Sequence, residues 1–246
     1  MYDIIKDQVL AVIPARSGSK GLIDKNIRPL CGHPLLSYSV VAAKKSCVID
    51  RVIISSDSPE YIDIAKSYGA EALFVRPAEI SGDENTDYEC MKHMLDFLQK
   101  NERKVPQYIV HLRPTTPLRN PALIIEAVDK IKSDRNATAL RSAHEMSETA
   151  YKCLEIKNLL FKPLGTNSFD MDMANLPRQM FPKTYSANGY VDILKSDFIS
   201  STGKIHGDHV LAFVTPKTLE VDNENDFEII ERYAEDNSQI IERLFL

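Results

Sequence analysis

The sequence predicts an α/β protein built on a mostly parallel sheet, and three observations support this. Short apolar runs rich in β-branched residues alternate along the chain with stretches that carry helix-capping signals, which is typical of βαβ units. The chain has 246 residues, of which 43% are hydrophobic, enough for one large α/β domain with a substantial core. No internal repeat or low-complexity segment interrupts the order of elements.

The predicted strands are short apolar runs. The first, Val9–Ala15 (VLAVIPA), is followed by a glycine-containing loop, which indicates a buried central strand. Further runs follow at intervals that leave room for a helix in between. They are Arg51–Ser56, Glu71–Val75, Tyr108–Leu112, Ala137–Ser142, Gly189–Leu194 and Val210–Thr215.

Capping signals mark the helices between these strands. Ser58–Glu60 (SPE) supplies an N-cap, a first-turn proline and a first-turn acid, and Gly69 ends that helix. Thr86 stands three residues before Glu89, which is capping-box spacing, and opens a helix to about Lys100. The other predicted helices are Pro34–Ser46, Asn120–Ser133, a short one after Leu194 and a last one from about Asn225.

The alternating pattern breaks between Ala143 and Thr184. Lys152–Leu160 suits a strand or a ribbon, and Lys162–Pro182 is rich in Pro, Gly, Asn and Met. We interpret this region as an insertion. We expect one domain over residues 1–246, with residues 144–186 forming an inserted dimerisation arm.

Composition excludes several classes of function. The net charge of −5 and the pI near 5.7 argue against a nucleic-acid-binding protein, whose binding face is basic. We expect no signal peptide, because Met1–Gln8 is polar and acidic, and no membrane span, because no apolar run approaches ~20 residues. The four cysteines lack zinc or CxxC spacing, so we expect reduced thiols in a cytoplasmic protein.

The loop after the first strand has the chemistry of a phosphate site. Glycines in Arg16–Gly21 (RSGSKG) let the backbone approach a ligand, and exposed N–H groups form an anion-binding nest. Arg16, Lys20 and Lys25 add three cations within ten residues, which suits a triphosphate. The segment is neither a P-loop nor a dinucleotide-binding motif. A solvated basic turn is the alternative.

A resemblance that extends over nearly the whole chain indicates the function of this loop. IPARSGSKGLIDKN (Ile13–Asn26) resembles the N-terminal signature of the N-acylneuraminate (sialic acid) cytidylyltransferases, usually IPARGGSKGxxxKN. Enzymes for legionaminic, pseudaminic and 3-deoxy-octulosonic acids share that ancestry. Four further segments resemble the family in the same order and spacing across nearly the whole chain. They are Arg76-Pro77, Leu112–Arg119 (LRPTTPLR), Pro177–Gly189 (PRQMFPKTYSANG) and Leu219–Phe227 (LEVDNENDF).

The resemblance implies a fold, a reaction and a nucleotide site. The fold would be a three-layer α/β/α, Rossmann-like nucleotide-diphospho-sugar transferase domain with a mixed, mainly parallel sheet. The reaction would join CMP from CTP to an acidic keto-sugar, in a homodimer whose arms complete both sites. Arg16 and Lys20 would act in catalysis together with Asp222. The nucleotide-binding residues would be Arg16, Ser19, Lys20, Gly21, Lys25, Asn26, Arg76 and Asp87.

Asp87 departs from the family, which commonly has a serine in this region. As an acid in the first turn of a helix, it suits the helix dipole. It could instead accept hydrogen bonds from a base, and both cytosine and guanine carry suitable donors. Guanylyl transfer from GTP is therefore an alternative.

Two acids imply a metal site. Glu220 and Asp222 alternate along an extended stretch, so their carboxylates project from one face and suit Mg²⁺. Alone, such an ExD pair is more often a solvated edge. The family pattern is DxD, so Glu220 replaces an aspartate, and Asp226 is expected to cap or support the segment.

The sugar site departs furthest from the family. Arg113 stands where the family usually has glutamine, and its planar fork suits a carboxylate. Ser186 stands where the family has an arginine, and we hypothesise that Arg113 compensates. The sugar-binding residues implied are Arg113, Thr115, Lys152, Arg178, Gln179 and Asn188.

Two rivals to sialic acid-like cytidylyl transfer stay open. One is cytidylyl or guanylyl transfer to a different sugar, and the other is a non-catalytic relative that only binds sugar nucleotides. Lys20, Lys25 and Asp222 argue against the second rival, because binding alone does not need a metal carboxylate. His93 and His111 match no catalytic position, and we expect both to be structural.

Overall fold

Ten strands and eight helices are present in the part of the chain that the computed structural model describes, residues 2–164 and 171–246. The strands are Ile4–Pro14 (β1), Pro29–Leu30 (β2), His33–Pro34 (β3), Arg51–Ser55 (β4), Val105–His111 (β5), Ala139–Glu145 (β6), Leu154–Lys157 (β7), Leu160–Pro163 (β8), Tyr185–Lys195 (β9) and Val210–Val214 (β10). The helices are Leu35–Lys45 (α1), Pro59–Ser67 (α2), Asp87–Glu102 (α3), Pro121–Ser133 (α4), Met171–Ala174 (α5), Ser196–Thr202 (α6), Glu224–Asp236 (α7) and Ser238–Phe245 (α8). None of the helices in these two ranges is long and apolar enough to cross a membrane.

Six strands form the central sheet in the order β10-β6-β9-β5-β1-β4. The β1 strand pairs in parallel with β4 and β5, and β10 pairs in parallel with β6. Only β9 among these six runs antiparallel, between β5 and β6. The predicted mixed, mainly parallel sheet is confirmed.

Helices cover both faces of this sheet. Alternate residues of β1 belong to different cores because successive side chains of a strand point to opposite faces. Val9 and Ile13 pack in a cluster with residues of α1, α2, α4 and α7, whereas Leu10 and Val12 pack with α3 and α6. The predicted three-layer α/β/α arrangement is confirmed.

The predicted helix starts are also confirmed by their caps. The Ser58 hydroxyl accepts a hydrogen bond from the N–H of Tyr61. At α3, the Glu89 carboxylate accepts from the N–H of Thr86, the reciprocal contact of a capping box. The Asn120 side chain accepts from the N–H of Ala122 at 3.1 Å.

Two predicted elements differ from the structure. The strand expected over Glu71–Val75 is wrong, since only Glu71 bridges Ile53 at the sheet edge. After Glu71 the chain leaves the edge of the sheet. Arg76 then lies beside the end of β4, where its N–H donates to the Ser56 carbonyl at 2.7 Å. The expected single last helix is two helices, broken at Asn237, whose backbone is not helical.

The insertion between β6 and β9 contains an antiparallel ribbon of β7 and β8 and the short α5. The ribbon agrees with one of the two forms expected for Lys152–Leu160. Large apolar side chains of this ribbon are exposed, including those of Ile156 and Phe161, whose relative exposures are 68% and 61%. Residues 165–170 of the predicted arm lie outside the described residues.

Arg119 is buried where three parts of the fold meet. Its exposure is 1%, and all five of its N–H donors are used. Burial lowers its pKa to about 9, so the guanidinium remains charged at neutral pH. Its acceptors are the Ser39 hydroxyl and the backbone carbonyls of Arg113, Thr116, Gly189 and Tyr190.

We expect Arg119→Met to lower the free energy of unfolding by about 3–5 kcal/mol, because it removes a buried charged donor from four carbonyls. Urea denaturation followed by circular dichroism measures this change. Arg232→Met on the exposed face of α7 is the matched control and should change stability by less than about 0.5 kcal/mol. Equal stability of the two variants would contradict the role given to Arg119.

Candidate active site

A cavity of about 230 Å³ opens at the carboxyl ends of β1 and β5. In open α/β sheets this edge is where ligands bind. The cavity gathers six of the eight predicted nucleotide residues and two of the predicted sugar residues, although they are spread over a hundred positions of the chain. These eight are Arg16, Ser19, Lys25, Asn26, Arg76, Asp87, Arg113 and Thr115.

The loop after β1 is fixed by the strand next to it. The N–H and the hydroxyl of Ser17 both donate to the Asp57 carboxylate, at 2.8 and 2.7 Å. Burial alone raises the pKa of Asp57, but these hydrogen bonds outweigh it and hold that pKa below its usual value. Asn26 is buried and donates its amide to the carbonyl of Arg16 at 2.9 Å, so it closes the loop from inside.

One acid holds two of the loop's cations. Asp83 accepts a hydrogen bond from Arg16 Nη2 at 2.5 Å and also pairs with Lys20. The contacts with Lys20 and Arg16 lower the pKa of Asp83, which stays ionised. Lys20 itself is largely exposed at the rim and is not among the cavity-lining residues. The predicted phosphate-binding cations Arg16 and Lys20 are thus both paired with one carboxylate of the same chain.

The acidic segment near the C-terminus packs directly on this loop. Lys25 Nζ donates to the Val221 carbonyl at 2.8 Å and lies 3.7 Å from the Asp222 carboxylate. Gly21 approaches so closely that an added Cβ would overlap the backbone carbonyl of Asp222. The N–H of Val221 donates to the Thr115 carbonyl at 2.8 Å. Two segments about 200 positions apart therefore form one surface.

The two predicted metal carboxylates have different surroundings. The side chain of Asp222 is 75% exposed beside the loop cations. Glu220 uses one oxygen, Oε1, to accept the N–H of Gly189 at 2.8 Å. Asp226 accepts from the N–H groups of Asp222 and Asn223, as expected for a supporting, capping acid. No group of three or more His, Cys, Asp or Glu suited to a metal occurs within residues 2–164 and 171–246.

Asp87, Arg113 and Asp192 form a charged chain at the inner end of the cavity. Arg113 donates to Asp87 Oδ2 at 2.6 Å and to Asp192 Oδ2 at 3.0 Å. Burial alone raises the pKa of Asp87, but the charge of the adjacent Arg113 guanidinium and its hydrogen bond hold that pKa below its usual value. His111 is itself buried, which lowers its pKa to about 4, so its imidazole is neutral at physiological pH. Arg113 is therefore shared between two carboxylates rather than free.

The other predicted sugar residues separate into two groups. Asn188 is buried, and its side-chain amide makes hydrogen bonds inside the protein. It donates to the Thr215 hydroxyl at 2.9 Å and accepts from the N–H of Tyr190. Arg178 and Gln179 line a different cavity of about 320 Å³ at the base of the arm. Lys152 lies on the arm with its ammonium 5.9 Å from the ring centre of Phe181. The described part of one chain does not bring these arm residues to the first cavity.

Three acids of the site belong to none of the motifs identified in the sequence. Asp192 lies in an apolar strand (GYVDIL), where a lone acid signals a buried partner, and the partner is Arg113. Asp57 directly follows a strand, which places it at the ligand-binding edge. Asp83 belongs to a polar loop, and nothing in its neighbourhood along the chain indicates that it meets Arg16.

The chain matches the model of a known family. A family model described as cytidylyltransferase matches residues 10–160. The chain belongs to the cytidylyltransferase family.

Relatives of this cytidylyltransferase-family chain agree with that placement. It is 32% identical over 92% of its length to the N-acylneuraminate cytidylyltransferase of Escherichia coli, and spans only about half (52%) of that longer protein. It is 27% identical to the CMP-N,N'-diacetyllegionaminic acid synthase of Campylobacter jejuni, covering 91% of the chain and 94% of that relative.

A solved structure supports the fold. The chain matches a CMP:2-keto-3-deoxy-manno-octonic acid synthetase complexed with CTP, with a TM-score of 0.70, 15% identity and coverage of 94% of this chain and 99% of that one. At this identity the likeness concerns the fold alone.

We expect Asp83→Asn to increase the affinity for inorganic triphosphate severalfold, because a ligand anion no longer competes with an internal carboxylate for Arg16 and Lys20. Isothermal titration calorimetry at low salt measures the affinity. The control is Glu84→Gln, which removes the same charge from the next residue, exposed and without a cation partner in the described ranges. If both variants bind alike, bulk charge and not the Asp83 pairing sets the affinity.

Proposed function

We propose that this chain transfers CMP from CTP to the anomeric hydroxyl of an acidic keto-sugar and releases pyrophosphate. The observation that carries the proposal is the packing of the acidic segment against the basic loop, which lines the cavity through Arg16, Ser19 and Lys25. That contact puts Lys25 and Asp222 within 3.7 Å of each other, so the cations of the loop and an exposed carboxylate lie side by side. The relatives named for sialic acid and legionaminic acid support an acidic keto-sugar as the acceptor.

The proposed reaction is an in-line displacement at phosphorus. The sugar hydroxyl oxygen forms a bond to the α-phosphorus of CTP while the bond to the oxygen bridging the α- and β-phosphorus breaks. The bonding pair leaves with pyrophosphate, and the hydroxyl proton passes to a base. Such a transfer asks the protein mainly for alignment and charge neutralisation. Arg16 and Lys20 supply cations for the phosphates, and no covalent enzyme intermediate is involved.

The acidic segment fits a divalent metal, which we propose to be Mg²⁺. Mg²⁺ keeps several waters and is usually bound by one or two carboxylates together with substrate phosphates, so a cage of three protein ligands is not needed. Asp222 presents an exposed carboxylate beside the phosphate loop, and Glu220 retains one oxygen that Gly189 does not use. When bound, the metal would screen the charge that develops on the phosphates.

We also propose that two copies of the chain share their sites through the arm. The exposed apolar side chains of β7 and β8 need a cover, since contiguous exposed apolar groups mark interaction surfaces. Arg178 and Lys152 lie away from the first cavity of their own chain, so a second copy could receive them. The four free cysteines fit a reducing compartment, and we propose a cytoplasmic location.

A pyrophosphate-release assay tests this function. CTP, GTP and UTP are each combined with several nine-carbon sugar acids and an eight-carbon one, with and without Mg²⁺. We expect release with CTP and at least one acid, only with the metal. Asp222→Asn should lower kcat by about 100-fold or more, because charge stabilisation at the phosphates is lost.

The matched control is Asp236→Asn, at the other end of α7 and about 18 Å from its start. It should leave kcat unchanged. Nucleotide binding without pyrophosphate release under any combination would favour a binding-only relative and overturn the proposal.

A further inference from the structure

We propose that Arg28 is a positioning residue for the metal site. By binding Glu224 and Phe227 at the start of α7, it keeps Asp222 at a fixed distance from the loop after β1, without touching the nucleotide or the metal itself. This inference rests on the proposed cytidylyl transfer and concerns how the same site holds its metal ion.

The side chain of Arg28 starts from a fixed backbone. Arg28 directly follows the single 3₁₀ turn Lys25–Ile27, whose first residue lines the cavity. Its N–H donates to the Asp24 carbonyl at 3.1 Å, and its own carbonyl accepts from the N–H of Leu35 at 3.0 Å. The backbone of Arg28 is therefore held between the loop after β1 and the start of α1.

The guanidinium of Arg28 contacts two residues in the first turn of α7. Its Nη1 donates to Glu224 Oε2 at 2.6 Å and its Nη2 donates to Oε1, so the ion pair is bidentate. Its Cζ lies 4.3 Å from the ring centre of Phe227, which is a cation–π distance. Phe227 is buried, so its ring is a fixed surface. The planar fork and the ring together set one orientation of the guanidinium, which a lysine ammonium would not do.

Asp222 is bonded to this same turn of α7. Asn223 and Asp226 form a reciprocal capping box, in which the N–H of Asp226 donates to Asn223 Oδ1 at 3.0 Å. The Asp226 carboxylate also accepts from the N–H of Asp222 at 3.1 Å. The backbone of Asp222 is therefore fixed to the turn that Arg28 binds.

A bound nucleotide would not compete for the contacts of Arg28. Arg28 is not among the residues that line the cavity. Lys25 also joins the loop to the acidic segment, through the Val221 carbonyl, but it lines the cavity and is one of the expected phosphate cations. Phosphates that approach Lys25 would share its ammonium, whereas the link from Arg28 to Glu224 stays in place.

The position of Asp222 relative to the loop governs how well the site binds a metal ion. Mg²⁺ is held by one or two carboxylates together with substrate phosphates, so both must be within reach at once. Groups that orient a metal ligand typically change metal affinity by about 10- to 100-fold. The side chains of Arg28 and Glu224 are 33% and 54% exposed, and exposed ion pairs contribute little to stability. A positioning role therefore predicts a loss of metal affinity with little loss of stability.

The test is Mn²⁺ binding measured by electron paramagnetic resonance in the presence of saturating CTP, without a sugar. Arg28→Met combined with Glu224→Gln removes the pair at constant net charge and keeps an apolar contact on Phe227. We expect the Mn²⁺ dissociation constant to rise about tenfold. The midpoint of thermal unfolding should fall by less than about 3 °C. The affinity for CTP without metal should be unchanged, because no cavity-lining residue is altered.

Arg51→Met combined with Glu71→Gln is the matched control. Arg51 also binds a carboxylate with two nitrogens of its fork, Nε at 3.0 Å and Nη2 at 2.6 Å. It is the first residue of β4, so this pair lies at the amino end of the strand, away from the cavity. The control should leave the Mn²⁺ dissociation constant unchanged. Arg28→Lys is a milder second variant, which keeps the charge but loses the fork, and should raise the constant less than the double variant does.

The outcomes separate this inference from the proposed function. An unchanged Mn²⁺ dissociation constant in the Arg28 double variant overturns the inference even if the chain releases pyrophosphate from CTP. An equal rise in the Arg51 control also overturns it. If the double variant does not fold, an unchanged constant in Arg28→Lys overturns it instead.

A rise confined to the Arg28 variants supports the inference even if no sugar acid is turned over. A wild-type chain that binds no Mn²⁺ in the presence of CTP overturns the inference together with the proposed metal site.

Discussion

The site depends on one buried guanidinium. Arg119 donates to carbonyls of the loop after β5 and of β9, and to the Ser39 hydroxyl of α1. That loop also carries Thr115, whose carbonyl holds the acidic segment through the N–H of Val221. The Arg119 side chain thus fixes the backbone of Arg113 beside the cavity. Through the loop that carries Thr115, it also supports the acidic segment that contains Asp222. The side chain thus satisfies carbonyls of a loop and of a strand at once, as buried backbone groups require.

Much of the fold follows from the sequence because its signals are local. Capping residues such as Ser58 and Thr86 mark helix starts, since their side chains satisfy N–H groups within three positions. The expected strand at Glu71–Val75 fails for a non-local reason. Pairing needs a partner along the whole run, and the chain leaves the edge of β4 after Glu71.

The same distinction applies to the site. Six of the eight expected nucleotide residues line one cavity, whereas Lys20 and Gly21 do not. The acids that control their charges were not predictable, because Asp83, Asp192 and Asp57 meet their partners across about 40 to 80 positions of chain. Arg113 has the fork expected for a carboxylate, yet the carboxylates that it binds are internal ones. The cations of the loop and the acidic segment were readable from the motifs, whereas the pairs that fix Arg16 and Arg113 form only in the folded chain.

We propose that the loop after β1 and the acidic segment form one site for a metal-bound triphosphate. A crystal structure with Mn²⁺ and a non-hydrolysable CTP analogue would show this, since anomalous scattering locates the ion. We expect one Mn²⁺ between the Asp222 carboxylate and phosphates lying over Arg16 and Lys25. A nucleotide bound elsewhere, or an ion with no contact to Asp222, would contradict it.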